Sequence, residues 1–131
     1  MTSSGFQTGI RIGGTPIGGK VLVIGNTLAF NTRGSVVDNS ALGSDVLVRH
    51  NNVQQNADGI FLDNVQGARV VRNSGFFSSN NGIWANATST KNGIFRNVIN
   101  SSGNLDVVDD SNDNCWLGNV FDTGTPNTNG C

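Results

Sequence analysis

Two observations predict an all-β solenoid, a single-stranded parallel β-helix of about six coils that fills residues 1–131 as one domain. The chain repeats itself every 22 to 25 residues, and each repeat holds only short alternating apolar pieces, none long enough for a helix. Val46-Leu47-Val48-Arg49-His50-Asn51 lies over Val21-Leu22-Val23-Ile24-Gly25-Asn26 at a constant offset of 25, and the match runs without a gap to Asp63-Asn64 over Asp38-Asn39. A step of 23 carries Val48, Arg49, Val53, Gly59 and Ile60 onto Val71, Arg72, Phe76, Gly82 and Ile83, and a further 22 reaches Val98 and Leu105. Backwards by 25, Gly34-Ser35-Val36-Val37 falls on Gly9-Ile10-Arg11-Ile12, and at the far end Asn97-Val98 falls on Asn119-Val120.

Pieces such as Val46/Val48 and Ile60/Leu62 alternate with a period of two and are separated by Asn, Ser, Gly and Asp, the pattern of strands joined by turns. Stacking such units about 4.8 Å apart lets every strand pair in parallel with its copies above and below. One unit cannot bury its apolar face alone, so the stack forms a single narrow core. Asn is suited to the corners because it tolerates left-handed backbone and can hydrogen-bond to its copy in the next coil. Asn26 with Asn51, and Asn31 with Asn56, are the expected stacking pairs.

Asn followed by an apolar residue and, about six residues on, Gly-Ile-x-Leu is seen as Asn52-Val53 with Gly59-Ile60-Phe61-Leu62, and in weaker form as Asn97-Val98 with Asn104-Leu105-Asp106-Val107. With this pattern the chain resembles, over nearly its whole length, the right-handed parallel β-helix proteins of the pectin-lyase-like superfamily. The resemblance implies the fold and leaves the activity open, since that superfamily holds pectin and alginate lyases, epimerases, phage tailspikes and periplasmic proteins that help mature copper enzymes.

Composition narrows the classes. Net charge is −1 with a pI near 5.5, and the eight Lys and Arg are scattered from Arg11 to Arg96, so no basic stripe exists to hold nucleic acid. No membrane span is expected. Cys115 and Cys131 bracket the final segment, and a disulfide there would staple a C-terminal cap over residues 115–131. A bridge is favoured over two free thiols, which nothing activates, and it implies an extracellular or periplasmic protein. The segment also resembles the C-terminal ends of secreted bacterial β-helix proteins. Met1-Thr2-Ser3-Ser4-Gly5-Phe6 has no basic start and no apolar run, so no signal peptide is expected in this stretch, and a fragment of a longer polypeptide is the favoured reading.

Several residue sets carry candidate chemistry. Asp38 and Asp63 share a phase one coil apart, within the separation of an acid and nucleophile pair in sugar chemistry, although Asp-Asn at a strand end is more often turn chemistry. Arg49 and Arg72 also share a phase, and the resemblance implies a role for such residues in neutralising a uronate carboxylate, although solvent-facing residues on a polar strand are the favoured reading. His50, the single histidine, sits where other coils have Gly25 and Asn73 and reads as a turn residue, and too few His, Met and Cys are present to converge on copper. Asp106, Asp109, Asp110 and Asp113 form an acidic cluster that would take calcium, the one candidate cofactor; a solvated loop is the favoured alternative.

The outward column Val36, Phe61 and Trp84 would expose an apolar patch, with Phe61 and Trp84 as ligand anchors; the favoured alternative is that a loop covers it or that the inward-outward phase is displaced by one and both rings are core. Three functions are then in play: a non-catalytic module binding polysaccharide or a partner along its side, a polyuronate lyase or epimerase, or part of one, using Asp38, Asp63, Arg49 and Arg72, and a tailspike-like scaffold. Self-association through lateral or end-to-end contacts is compatible with each.

Overall fold

The structure is a computed structural model that describes residues 1–124, 126 and 131, and among these it is all-β and right-handed, with no helix. Each coil contributes three strands. The first carries β1 (Thr2–Ser3), β2 (Thr8–Gly13) and β3 (Lys20–Ile24); the second β4 (Thr27–Ala29), β5 (Arg33–Ser40) and β6 (Asp45–Arg49). The third carries β7 (Asn52–Gln54), β8 (Asp58–Val65) and β9 (Arg69–Val71); the fourth β10 (Ser74–Phe76), β11 (Asn81–Ala85) and β12 (Gly93–Phe95); the fifth β13 (Val98–Asn100), β14 (Leu105–Asp109) and β15 (Cys115–Leu117). Strands in equivalent positions pair in parallel to make three five-stranded sheets: A (β1-β4-β7-β10-β13), B (β2-β5-β8-β11-β14) and C (β3-β6-β9-β12-β15).

Among the described residues there are five full coils, close to the six expected, and beyond β15 they add the bridge Val98↔Val120. In sheets A and B the offset of 25 holds between the second and third coils, from Thr27↔Asn52 to Ser40↔Val65, and in sheet C it falls to 22, as in Leu47↔Arg69. The next step is 22 through Gln54↔Phe76 and becomes 23 only at Ile60↔Ile83, so the extra residue lies in the turn from sheet A to sheet B. From the fourth coil to the fifth the step is 24 in sheets A and B, as in Gly75↔Ile99 and Ile83↔Val107, and the expected 22 holds only in sheet C, as in Gly93↔Cys115. Val53, placed by the repeat over Phe76 and Val98, pairs instead down its column with Gly75 and Ile99, a displacement of one residue that puts Val98 on the outward face, whereas Leu105 lies two residues before Val107 at the open start of β14.

Inward residues Leu28, Val37, Val48, Val53, Ile60, Leu62, Ile83, Ile94 and Ile99 form one continuous buried column down the helix axis. The corners are held by Asn. Between sheets C and A, Asn26, Asn51, Asn73, Asn97 and Asn119 stack, each backbone N–H donating to the side-chain oxygen of the next, as in Asn51 N to Asn73 Oδ1 at 3.0 Å and Asn73 N to Asn97 Oδ1 at 2.9 Å. Each inner side-chain amide also donates back to a carbonyl one coil below, Asn73 Nδ2 to Val48 O at 3.0 Å. Asn31 and Asn56 do the same between sheets A and B, and Asn92 and Asn114 between B and C. Both expected pairs therefore stack. At the A-to-B corner Gly59 has no alternative, since a Cβ there would run into the Gly82 carbonyl oxygen.

Cys115 and Cys131 are bonded, with Cα atoms 4.5 Å apart across a separation of 16 residues, a closure worth roughly 3 kcal/mol in the chain-entropy view. The expected cap over 115–131 lies partly outside the described residues.

Removing one rung of the ladder should cost more than an ordinary surface hydrogen bond. Asn73→Ala leaves the Val48 carbonyl and the Asn51 N–H buried without partners, and urea unfolding should register a loss of about 3 kcal/mol.

Candidate functional site

A packed solenoid leaves only its outward columns for chemistry, and sheets B and C present different ones. On sheet B the register sets Val36, Phe61 and Trp84 in line, as expected from the sequence. They do not form an exposed patch. Val36 and Phe61 are buried, with 4% and 5% of their surface open, and Trp84 is half-buried. Phe61 is enclosed because the Arg33 guanidinium lies 4.6 Å over its ring while the Trp84 ring stacks on it at 4.4 Å, 29° from parallel. Arg33 is held in turn by Asp58 at 3.8 Å, and Trp84 Nε1 donates to Asp110 Oδ2 at 2.8 Å. The aromatic pair is already spent on its own neighbours.

Asp38 and Asp63 are in register one strand apart on the same face. Asp38 is buried and takes Arg11 at 2.6 Å; Asp63 accepts Asn86 Nδ2 at 2.6 Å. Each carboxylate has its own partner. Arg49 and Arg72, the other half of the catalytic set read from the sequence, belong to sheet C and its outer corner, so the four residues do not converge.

The acidic stretch also separates. Asp109 Oδ1 accepts Ser111 Oγ at 2.9 Å and Asn114 Nδ2 at 2.8 Å, and its Oδ2 accepts Trp116 Nε1 at 2.9 Å. Asp110 serves Trp84, and Asp113 is exposed. Asp106 faces the opposite turn, fully buried, where Oδ1 accepts Ser102 N at 2.9 Å and Oδ2 accepts the N–H groups of Asp122 and Thr123 at 2.9 and 3.0 Å. Burial alone would raise the Asp106 carboxyl, but these backbone donors outweigh it and hold it below the ordinary carboxylate value. Asp106 and Asp109 thus cap different turns, Asp110 serves Trp84, and no three of these carboxylates come together among the described residues.

Sheet C carries a cleft of about 610 Å³. Its floor is Leu47, Val71, Phe95 and Leu117, the outward residues of four successive strands, and its rim is Arg49, Arg69, Arg72 and Arg96. Arg49 pairs with Val71 rather than Arg72, because the step there is 22 and grows to 23 only after Gln54. Arg72 instead continues the corner column Gly25, His50, Arg72, Arg96 and Gly118, every member of which has left-handed backbone. The same shift removes Asn73 from the place opposite His50 and puts it in the Asn ladder. Arg69 is paired with Asp45. Arg49, Arg72 and Arg96 make no ion pair among the described residues, and Arg49 Nε is buried without a hydrogen-bond partner. The cleft is therefore an apolar trough edged by unneutralised guanidinium groups, suited to planar anions such as carboxylates. Arg69 and Arg96 were missed because the sequence shows them as scattered cations; only the register gathers them.

The family described as periplasmic copper-binding protein (NosD) matches residues 2–129. The chain belongs to that family. Solved structures of three mutants of the periplasmic alginate epimerase AlgG are similar to it, each with a TM-score of 0.65 and 25% identity over 81% of this chain. The chain spans 25% of the length of that epimerase. No curated protein matches the sequence. Family and epimerase are both periplasmic, in keeping with the disulfide, and the protein is extracellular or periplasmic.

Copper is named in the family's description, and the donors of this chain can be tested against it. His50 stands alone at an exposed corner beside Arg72, Met1 is at the start of the chain, and both Cys sulfurs are bonded to each other. No group of three His, Cys, Asp or Glu converges among the described residues. Such a donor set does not fit a copper centre, which needs several soft or imidazole ligands together.

Asp106 yields a test by pH. Its folded pKa lies below the unfolded one, so its stabilisation is complete at neutral pH and is lost as pH falls from about 4 through the folded value. Asp106→Asn turns an amide NH₂ toward N–H donors, and denaturant melts should show a deficit of about 2 kcal/mol at pH 7 that shrinks on acidification.

Proposed function

We propose that this chain is a non-catalytic β-helix module that holds an acidic polysaccharide, of the polyuronate class, along the arginine-edged cleft of sheet C. The observation that carries the reading is the set of Arg49, Arg72 and Arg96 around an apolar floor, without a carboxylate to neutralise them. Sugar rings have apolar faces that can lie over Phe95 and Leu117, while carboxylates at their edges meet the guanidinium forks. Arg72 and Arg96 stand in consecutive coils, so the rim repeats along the solenoid as a polymer repeats. Likeness to an alginate epimerase supports a carbohydrate ligand.

The non-catalytic part of the proposal rests on Asp38 and Asp63, which are paired with Arg11 and Asn86 on another face. Phe61 and Trp84 are then a stabilising stack rather than ligand anchors. A polyuronate lyase or epimerase is the second reading, favoured by one observation: His50, a possible proton acceptor, occupies the coil next to Arg72 in the same corner column.

Calorimetry with alginate oligosaccharides should give saturable binding that weakens as salt rises. Arg72→Ala with Arg96→Ala should weaken it at least about tenfold, a loss of about 1.4 kcal/mol, whereas Trp84→Ala should lower the melting temperature and leave affinity within about twofold. Unchanged affinity in the double arginine variant would remove the proposal. Release of unsaturated or epimerised product, abolished by His50→Ala, would replace it with the enzymatic reading.

A further inference from the structure

The corner that turns the chain from sheet A into sheet B holds aromatic rings that no part of the fold requires. Its leading position is occupied in successive coils by Gly5, Phe30, Gln55, Phe77 and Ser101, set one above another by the adjoining strand registers. All five have left-handed backbone. Glycine and asparagine adopt that conformation readily and phenylalanine does not. The rings of Phe30 and Phe77 gain no burial in compensation, being 62% and 63% exposed, and Phe6 beside them is 62% exposed. Gly5 and Ser101 show that the corner closes equally well without a ring.

The three rings line an open trough of about 890 Å³. Gln7 and Gln55 lie among them, and their side-chain amides make no hydrogen bond among the described residues, unlike the neighbouring Asn31 and Asn56, whose amides are committed to the carbonyls of Ser3 and Leu28. None of the lining residues is charged. Phe30 and Phe77 are separated by one coil, so their rings recur at roughly 10 Å, twice the strand spacing. Flat apolar surfaces at a regular interval with free amides between them match a ligand that is apolar on its faces and hydroxylated at its edges.

We infer that this trough binds an uncharged linear oligosaccharide, stacked on Phe30 and Phe77 and hydrogen-bonded by Gln7 and Gln55. The site is separate from the arginine cleft, lies at a different corner of the solenoid and does not depend on it. Lack of charge in the lining gives the cleft's acidic ligand no counterpart here.

The test is an amide-resolved titration of the isotope-labelled chain with cellohexaose and, separately, mannohexaose, following the side-chain NH₂ signals of Gln7 and Gln55. Asn tolerates left-handed backbone, so the variant Phe30→Asn with Phe77→Asn keeps the fold, which its melting temperature verifies. Saturable shifts at both amides, weakened at least about tenfold in that variant and unchanged in Arg72→Ala with Arg96→Ala, are the expected result. Absence of shifts at both amides with both sugars, or equal affinity in the phenylalanine variant, overturns the inference. Sedimentation completes the test: a dimer dissolved by the same two substitutions would make the ridge a contact between copies of this chain and would also overturn it.

Discussion

Parallel pairing of each coil with the next is the constraint on which everything else depends. Backbone groups on strands are satisfied by the neighbouring coils, but at the corners the chain turns and its N–H and C=O groups would be left buried without partners. The Asn columns resolve this. Each amide bridges two coils, accepting from one backbone and donating to another, so the corner is closed by the same interaction that sets the spacing and register. Since Asn51, Asn73 and Asn97 are almost wholly buried, their pairing is strong by the standards of side-chain hydrogen bonds and intolerant of substitution.

That architecture divides the chain into residues with no freedom and residues with a great deal. Inward side chains must be apolar and of fitting size, and corner amides must be amides. Outward positions are constrained only where they meet each other, which is why one sheet can spend its column on the Arg33, Phe61 and Trp84 stack while another gathers Arg49, Arg72 and Arg96 over Val71 and Phe95. Functional difference between β-helix proteins of one fold can therefore arise from outward columns alone, with the frame unchanged. In this family member the copper binding named in the family's description has no matching donor set among the described residues, whereas the outward columns are rich in cationic and aromatic side chains.

The arginine cleft and the aromatic ridge share an origin in left-handed corner residues. Such a residue projects its side chain away from the strand and into water, and in adjacent coils these projections become a row. His50, Arg72 and Arg96 make one row, and Phe30, Gln55 and Phe77 another. Both are opposed by backbone preference, because the left-handed region favours glycine, and each persists although glycine stands at an end of the same row.

Sequence by itself determined the fold class, two of the Asn pairs, the disulfide and the column of Val36, Phe61 and Trp84. These follow from a period of about 25 residues and from alternation, both of which survive in one dimension. It did not determine the exact steps between coils. The step at Arg49 and Val53 is 22 rather than 23, which separates Arg49 from Arg72 and turns Phe76 and Val98 outward; Asn-apolar pairs recur so often that either register looks plausible in the string. Burial was likewise decided in three dimensions, for Phe61 is outward by alternation yet enclosed by Arg33 and Trp84, from the coil below and the coil above. Neighbours across coils are 22 to 25 residues away along the chain and one strand away in space, so only the tertiary structure could say which side chains meet.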